Sequence, residues 1–283
     1  MSLSSALGVA LSGLQTSTAL LQLTANNISN AQTPGFTEKS ASVSSTALGA
    51  DAGGVEITSY SRASNVVLQQ SYNAATSSAS YLGTQNGYMQ QVQTILDSTS
   101  NNPALSDAIA QFASAWTQLQ ASPEDPTVQA AVVQAGNNFS QQVNSIAAQV
   151  GTLQSQVDND TQNTVNQLST DLKTVASLNQ QIFTATGNNQ PTGNLEDERD
   201  QAINQIASIT NISIFQRGQG QIALYTPDGT ALLDGQPQTF SYSGGVITDS
   251  SGRDVTNDLT GGSLQAELQF NATAATPSSL PGR

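Results

Sequence analysis

The sequence predicts a mainly α protein, a long antiparallel coiled-coil helical rod with a small β-hairpin region at its C-terminal end. Three observations predict it. Apolar residues recur at alternating steps of three and four through much of residues 3 to 210. From Ile212 the period changes to two, with Gly- and Asp-bearing turns between short runs. Only 10% of the 283 residues are charged and 5% aromatic, so bulky side chains are too few for a wide globular core. Thin helical seams need less bulk.

The elements follow in order. Residues 3 to 30 read as one amphipathic helix with Leu7, Leu11, Leu14, Thr18, Leu21, Ala25 and Ile28 along a single seam. A lone helix cannot cover such a stripe and is marginal in water, so a partner helix is expected. Asn26, Asn27 and Asn30 are expected to end it, since Asn competes for backbone hydrogen bonds. Pro34 then forces Thr33 into extended geometry and Gly35 supplies a turn. These residues, 1–36, form the first unit. An extended linker with one short strand follows over 37–63, around "GVEITSYSR".

Helical periodicity fills 64–210. One segment spans about 64 to 97. A second is announced by Asn102 as N-cap and Pro103 at the first helical position, with Leu105, Ile109, Phe112, Trp116 and Leu119 on its buried face. Asp125-Pro126 starts a third, which continues to about Phe183 and measures roughly 85 Å at about 1.5 Å per residue. Its heptads are Val143, Ile146, Val150, Leu153, Val157 and then Val165, Leu168, Leu172, Val175, Asn179, Ile182. The eight-residue step between them is a stutter. "TGNNQPTGN" closes this helix, and Leu195 to Ile209 returns, its "EDERD" in the first turn where the macrodipole favours carboxylates. Residues 211–270 read as β-hairpins, with Asp228-Gly229 as a tight turn, and 271–283 as a disordered tail.

Composition narrows the function. Twenty acidic against seven basic residues give −13, and the seven are scattered, so neither nucleic acid nor an anionic membrane surface is a fitting partner. Cysteine and histidine are absent, which removes disulfides, the usual zinc sites and His-based acid–base chemistry. No side-chain charge precedes Glu38, and Ser4, Ser5, Ser12, Gln15 and Thr16 interrupt the leucines. The segment is therefore neither a Sec signal, which needs a basic start, nor an unbroken run of about 18 apolar residues fit to span a membrane.

No chemistry assembles. Asp158-Asn-Asp160 lacks the glycine and glutamate of a calcium loop. "GQGQIA" sits between strands and reads as a hairpin turn rather than a dinucleotide loop. Glu196, Asp197, Glu198 and Asp200 could hold a cation or act as paired carboxylates. A solvated helix start is the favoured reading. No catalytic residue, cofactor or metal is assigned.

The stretch "LSGLQTSTALLQLTANNISNAQTPGFTEKSA" resembles the N-terminal signature of the axial proteins of the bacterial flagellum, the rod, hook and hook-associated proteins. Asn26, Asn27, Ile28, Asn30, Ala31, Thr33, Pro34, Gly35 and Phe36 match that pattern, with Ser29 in the usual Ala place. "FASAWTQLQASPEDPTVQAAVVQAGNNFSQQVNS" and "LEDERDQAINQIASITNISIFQRGQGQIALYTPDGTALL" are similar to hook-associated members, and the resemblance runs from residue 1 to about 270. It implies a structural, non-enzymatic subunit of the hook–filament junction, exported unfolded by the flagellar type III route and located outside the cell. Partners implied are sister subunits, the hook protein and other hook-associated proteins, with an export chaperone a further candidate. The polymerisation interface would be Leu7, Leu11, Leu14, Leu21, Ala25 and Ile28. Family chains continue into a second heptad helix that pairs with the first. Residues 1 to 30 are therefore expected to be mobile here or docked on a neighbour. A distal rod or hook protein, and a secreted coiled-coil adhesin or effector, are the alternative readings. A peptidoglycan hydrolase is disfavoured for want of a cleft carboxylate.

Overall fold

The structure is a computed structural model that describes residues 3–48, 51–96 and 104–275. Helix α1 runs Leu3–Asn30, and a turn leads into a two-stranded antiparallel ribbon of β1 (Lys39–Leu48) and β2 (Asp51–Arg62). The expected linker with one strand is thus a hairpin, Lys39 pairing Arg62 and Leu48 pairing Asp51. The alternation of Ser, Thr and β-branched residues over 39–46 and 55–62 suits a pleated ribbon with one face toward solvent and the other against α1.

The rod consists of α2 (Val66–Leu96), α3 (Leu105–Ala121), α4 (Pro126–Gly187) and α5 (Gly193–Ile209). Asp125 caps α4 as its sequence predicts, accepting from the Thr127 N–H at 2.7 Å, with Pro126 opening the helix. At 62 residues, α4 is about 93 Å long at 1.5 Å per residue. Ala104 stands at the α3 N-cap without a side-chain cap bond. The expected caps Asn102 and Pro103 lie outside the described residues.

Packing corrects three seam assignments. In α3 the residues facing α4 are Ala108 and Ala115, whereas Ile109 and Trp116 are about half exposed. Trp116 is therefore not core. The alanines let α3 come close enough for Phe112 to stack on Phe139 of α4, rings 6.1 Å apart and nearly parallel. That approach fixes the rotation of α4. Gln142 faces inward and Val143 outward, one residue off the expected heptad. Farther along, Val157, Thr161 and Val165 are all fully buried, so Thr161 fills the stutter, its hydroxyl returned to the Val157 carbonyl at 2.7 Å. In α2 the inward residues include the polar Asn73 and Ser77, while Val67, Leu68, Tyr72, Leu82 and Met89 face out.

The C-terminal part is more globular than composition suggests. Strands β3 (Ser213–Gln216), β4 (Ile222–Tyr225), β5 (Ala231–Asp234) and β6 (Gln236–Pro237) form a four-stranded meander, and β7 (Ser241–Ser243) and β8 (Val246–Thr248) a separate hairpin. Their apolar faces close on residues 165–176 of α4 and on α5. Leu168, Leu172, Ile203, Ile206, Leu224, Leu233, Ile247 and Leu264 are among the residues of one buried cluster. The hairpins are a cap on the rod, not appendages. A sixth helix, α6 (Gly262–Ala275), lies where strand and tail were expected, and residues 271 to 275 continue it rather than starting an irregular tail. It packs on α2 and α4. Gly262 has φ +63°, and a Cβ there would meet the Ile209 backbone at 2.2 Å, so α6 starts directly on the end of α5.

Candidate assembly interface

Helix α1 lies on the ribbon by the face that carries Ser12, Thr16 and Asn27, with Leu20 and Leu23 half-buried on the same side. Ser12 Oγ accepts the Val55 N–H at 3.2 Å and donates to the Val9 carbonyl, while Thr16 Oγ1 donates to the Val55 carbonyl at 3.3 Å. Asn27 does the same for β1: its amide donates to the Lys39 carbonyl at 2.8 Å and its Oδ1 accepts the Lys39 N–H at 3.0 Å. The side chain thus satisfies one full strand residue. This corrects two expectations. Asn27 is a clasp rather than a helix stop, and α1 has a partner within the chain, the ribbon.

The docking leaves the leucines on the other side. Leu7 is 70% exposed, Leu11 53%, Leu14 65%, Leu21 70% and Ile28 72%. Ala25 is exposed with them. All six residues of the expected interface therefore share one uncovered face. By length and composition α1 also reaches what a membrane crossing needs, which the search for unbroken apolar runs overlooked. Ser12, Thr16 and Asn27 spend hydrogen bonds on the ribbon, and hydrocarbon would supply no such partners. A protein partner suits this two-faced helix better.

The remaining motif residues redirect the chain. Asn30 Nδ2 donates to the Asn26 carbonyl at 3.0 Å, and Asn30 Oδ1 receives a weak bond from Thr33 Oγ1 at 3.4 Å. Phe36 N–H bonds the Thr33 carbonyl at 3.1 Å across Pro34-Gly35, and Gly35 takes φ +80°, the left-handed geometry at the third position of a type II turn. Ala31, Thr33, Pro34 and Gly35 are exposed. Gln201 of α5 donates to the Pro34 carbonyl at 3.3 Å, so the turn touches the rod.

What holds ribbon to rod is an ion-pair network that overturns the solvated reading of "EDERD". Asp197 is only 4% exposed. It accepts the Lys39 ammonium and the Thr37 hydroxyl and N–H, the last two at 2.6 and 3.0 Å. Arg62 reaches Glu196 at 2.5 Å, Asp200 at 2.5 Å and Asp197 at 3.2 Å, and Phe36 places its ring under the Lys39 ammonium at 3.4 Å. Burial alone would raise the Asp197 carboxyl, but bonds from Lys39 and Thr37 hold it below the usual carboxylate range. Burial likewise opposes the Arg62 charge, and Asp200 with Glu196 and Asp197 lifts it above the ordinary guanidinium value. Arg199 points elsewhere, to Asn179 Oδ1 at 3.1 Å and the Gly220 carbonyl at 2.6 Å. The sequence did carry a signal for this network. Lys39 and Arg62, two of only seven cations, bracket the extended segment, and four carboxylates crowd the start of α5.

Asp158 and Asp160, the remnant of a calcium loop by spacing, lie on α4 and accept tyrosine hydroxyls, from Tyr242 at 2.6 Å and Tyr88 at 3.0 Å respectively. "GQGQIA" forms the β3–β4 turn.

Fold and interface together describe an elongated helical rod, capped by β-structure, that carries a separate amphipathic N-terminal helix. Residues 89–279 match the family model of the flagellar hook-associated protein FlgK helical domain, and the chain belongs to that family. Flagellar hook-associated protein 1 of Bacillus subtilis (strain 168) is 25% identical over 252 residues, 84% of this chain and 49% of the relative. The protein of the same name from Salmonella typhimurium LT2 is 26% identical over 241 residues, 82% and 43% respectively. The chain therefore spans about half the length of the curated relatives it matches, or less. In three dimensions it resembles the flagellar hook junction protein FlgK from Burkholderia pseudomallei with a TM-score of 0.60, over 72% of this chain and 39% of that one, at 20% identity. At that identity the likeness speaks for the fold.

Proposed function

We propose that the chain is a structural subunit of the bacterial flagellum that polymerises at the hook–filament junction. It would reach the cell exterior by flagellar type III export and act by packing rather than by catalysis. One observation carries the reading: α1 is fastened to its own chain by the hydrogen bonds of Ser12, Thr16 and Asn27 with Leu20 and Leu23 half-buried beside them, and it turns Leu7, Leu11, Leu14, Leu21 and Ile28 outward. Burying each leucine against a partner is worth about 1.5–3 kcal/mol, and a helical array repeats the contact in every subunit, so modest interfaces sum to a tight assembly. Leu7, Leu11, Leu14, Leu21, Ala25 and Ile28 form the contact. Asn26, Asn27, Asn30, Ala31 and the Thr33–Phe36 turn aim the rod away from it. Sister subunits, the hook protein and other hook-associated proteins are the partners, with an export chaperone before assembly. Family membership supports this over an unrelated secreted adhesin, and the 62-residue α4 favours the junction over a rod or hook protein.

Deleting residues 2 to 30 tests it. The remaining chain should stay helical, and cells carrying the deletion should shed filament protein and stop swimming. Cells that keep their filaments on this deletion would contradict the proposal.

A further inference from the structure

Glu267, on α6, is 4% exposed. Its Oε1 accepts from the Thr164 hydroxyl of α4 at 3.0 Å, while Oε2 is enclosed with no hydrogen-bond partner among the described residues. One turn before Thr164, on the same side of α4, stands Asp160, whose carboxylate accepts the Tyr88 hydroxyl of α2 at 3.0 Å. Tyr88 in turn packs on Phe270 of α6, ring centroids 5.1 Å apart. With Leu153, Val157, Val92 and Ile95 these rings form a second small core, closed by α6. No Lys or Arg pairs with Asp160 or Glu267 among the described residues. A buried carboxyl, a half-buried carboxyl and a phenol therefore share a junction of three helices without a cation among the described residues.

Every element packed on α6 adds to this or is silent. Helix α2 presents Tyr88, and Tyr81 two turns away bonds Gln269. Helix α4 presents Asp160, with Asp158 beside it bonded to Asn271, and strand β7 presents Tyr242, whose hydroxyl accepts the same Asn271 amide at 3.1 Å and donates to Asp158. Helix α5 meets α6 at its C-terminal end, where residues 201–209 contain no ionisable side chain. An uncompensated carboxylate oxygen in such a place is costly, and retaining a proton relieves the cost. Burial pushes the Glu267 carboxyl up, Thr164 pulls it down and Asp160 adds to the rise, leaving it at about 7.

We propose that docking of α6 onto α2 and α4 is proton-linked: Glu267 enters the junction as the neutral acid, and its ionisation beside Asp160 loosens the helix and opens the small core beneath it. A carboxyl raised in the folded state stabilises fully below its unfolded value, about 4.3, and loses that contribution as pH rises through the folded one. The latch is thus tight near pH 5 and loose above about pH 8.

Hydrogen exchange of α6 peptides in the full chain, corrected for intrinsic exchange, reads the opening constant. We expect it to rise on the order of 100-fold between pH 5 and pH 9, and Glu267→Gln to abolish the rise. The difference between the two proteins is decisive, because Asp171 is another carboxyl raised by burial. An unchanged pH dependence in E267Q overturns the proposal. Should E267Q fail to fold, carboxyl carbon NMR of the glutamate-labelled wild type decides. An inflection near 7 for Glu267 supports the latch, and one in the ordinary range near 4 defeats it. Neither result bears on filament attachment, so the latch and the assembly role are tested separately.

Discussion

Two asparagine side chains do the same work, one on α1 and one on α4. Asn27 grips the backbone N–H and C=O of Lys39, and Asn179 grips those of Ile222 at 3.3 and 2.8 Å. Each lets a helix seam bind a strand where a leucine would leave strand groups unsatisfied. Asn27→Ala removes two bonds and should cost about 1–3 kcal/mol of α1 docking, seen as faster amide exchange in residues 10–30 with the rod unchanged. Asp197→Ala is more severe, because Lys39 would be left buried without its partner. We expect a loss of about 3–5 kcal/mol in urea unfolding of the ribbon. The Asp197 carboxyl is depressed, so its contribution is present above the ordinary carboxylate value and vanishes as pH falls through the lower folded one. The ribbon should therefore detach in acid below about pH 4.

At the scale of elements, α3 illustrates how small residues set a seam. A helix presenting Ile109 and Trp116 inward would keep its axis farther from α4. Ala108 and Ala115 bring it close and leave the larger side chains at the edge. Trp116→Ala should then cost about 1 kcal/mol, mainly its edge contact with Phe112, rather than the 3–5 kcal/mol of a core tryptophan. Ala115→Leu should cost about 1–3 kcal/mol by overpacking. Thermal unfolding of both variants, followed by circular dichroism, checks the ranking. A larger loss for Trp116 than for Ala115 would contradict the observed rotation of α3.

For the whole molecule, two junctions respond to pH in opposite senses. The ionic clasp between ribbon and rod weakens in acid, and the α6 junction weakens as pH rises toward about 7, so the chain should be most resistant to urea near about pH 4 to 5. Its outward leucine face is independent of both. Replacing Leu14 and Leu21 with Asp should leave the melting temperature of the purified chain within about 2 °C, since neither side chain is covered. The same pair should abolish incorporation into filaments in cells. Thermal unfolding of the purified variant and filament counts by electron microscopy measure the two halves of that expectation.

Periodicity and caps made the helices legible before any coordinates: α1, the Asp125-Pro126 start of α4, and the β3–β4 turn follow from local rules that act within a few residues. The Asn-Asn-Ile…Thr-Pro-Gly-Phe string made the family legible as well. Local pattern did not reveal α6, because "LQAELQFNATAA" has no clear stripe and is helical through contact with α2 and α4 on one side and α5 at its start. Nor did it reveal which way α1 faces. Leucine spacing marks a stripe, but whether that stripe is buried depends on what lies beside it, and here the hydroxyls and Asn27 win the neighbour by satisfying strand backbone. Charge pairs such as Asp197 with Lys39 lie more than 150 positions apart in the chain. Secondary structure is fixed by interactions between near neighbours, whereas burial and rotation are fixed by distant ones, and only the tertiary structure brings those together.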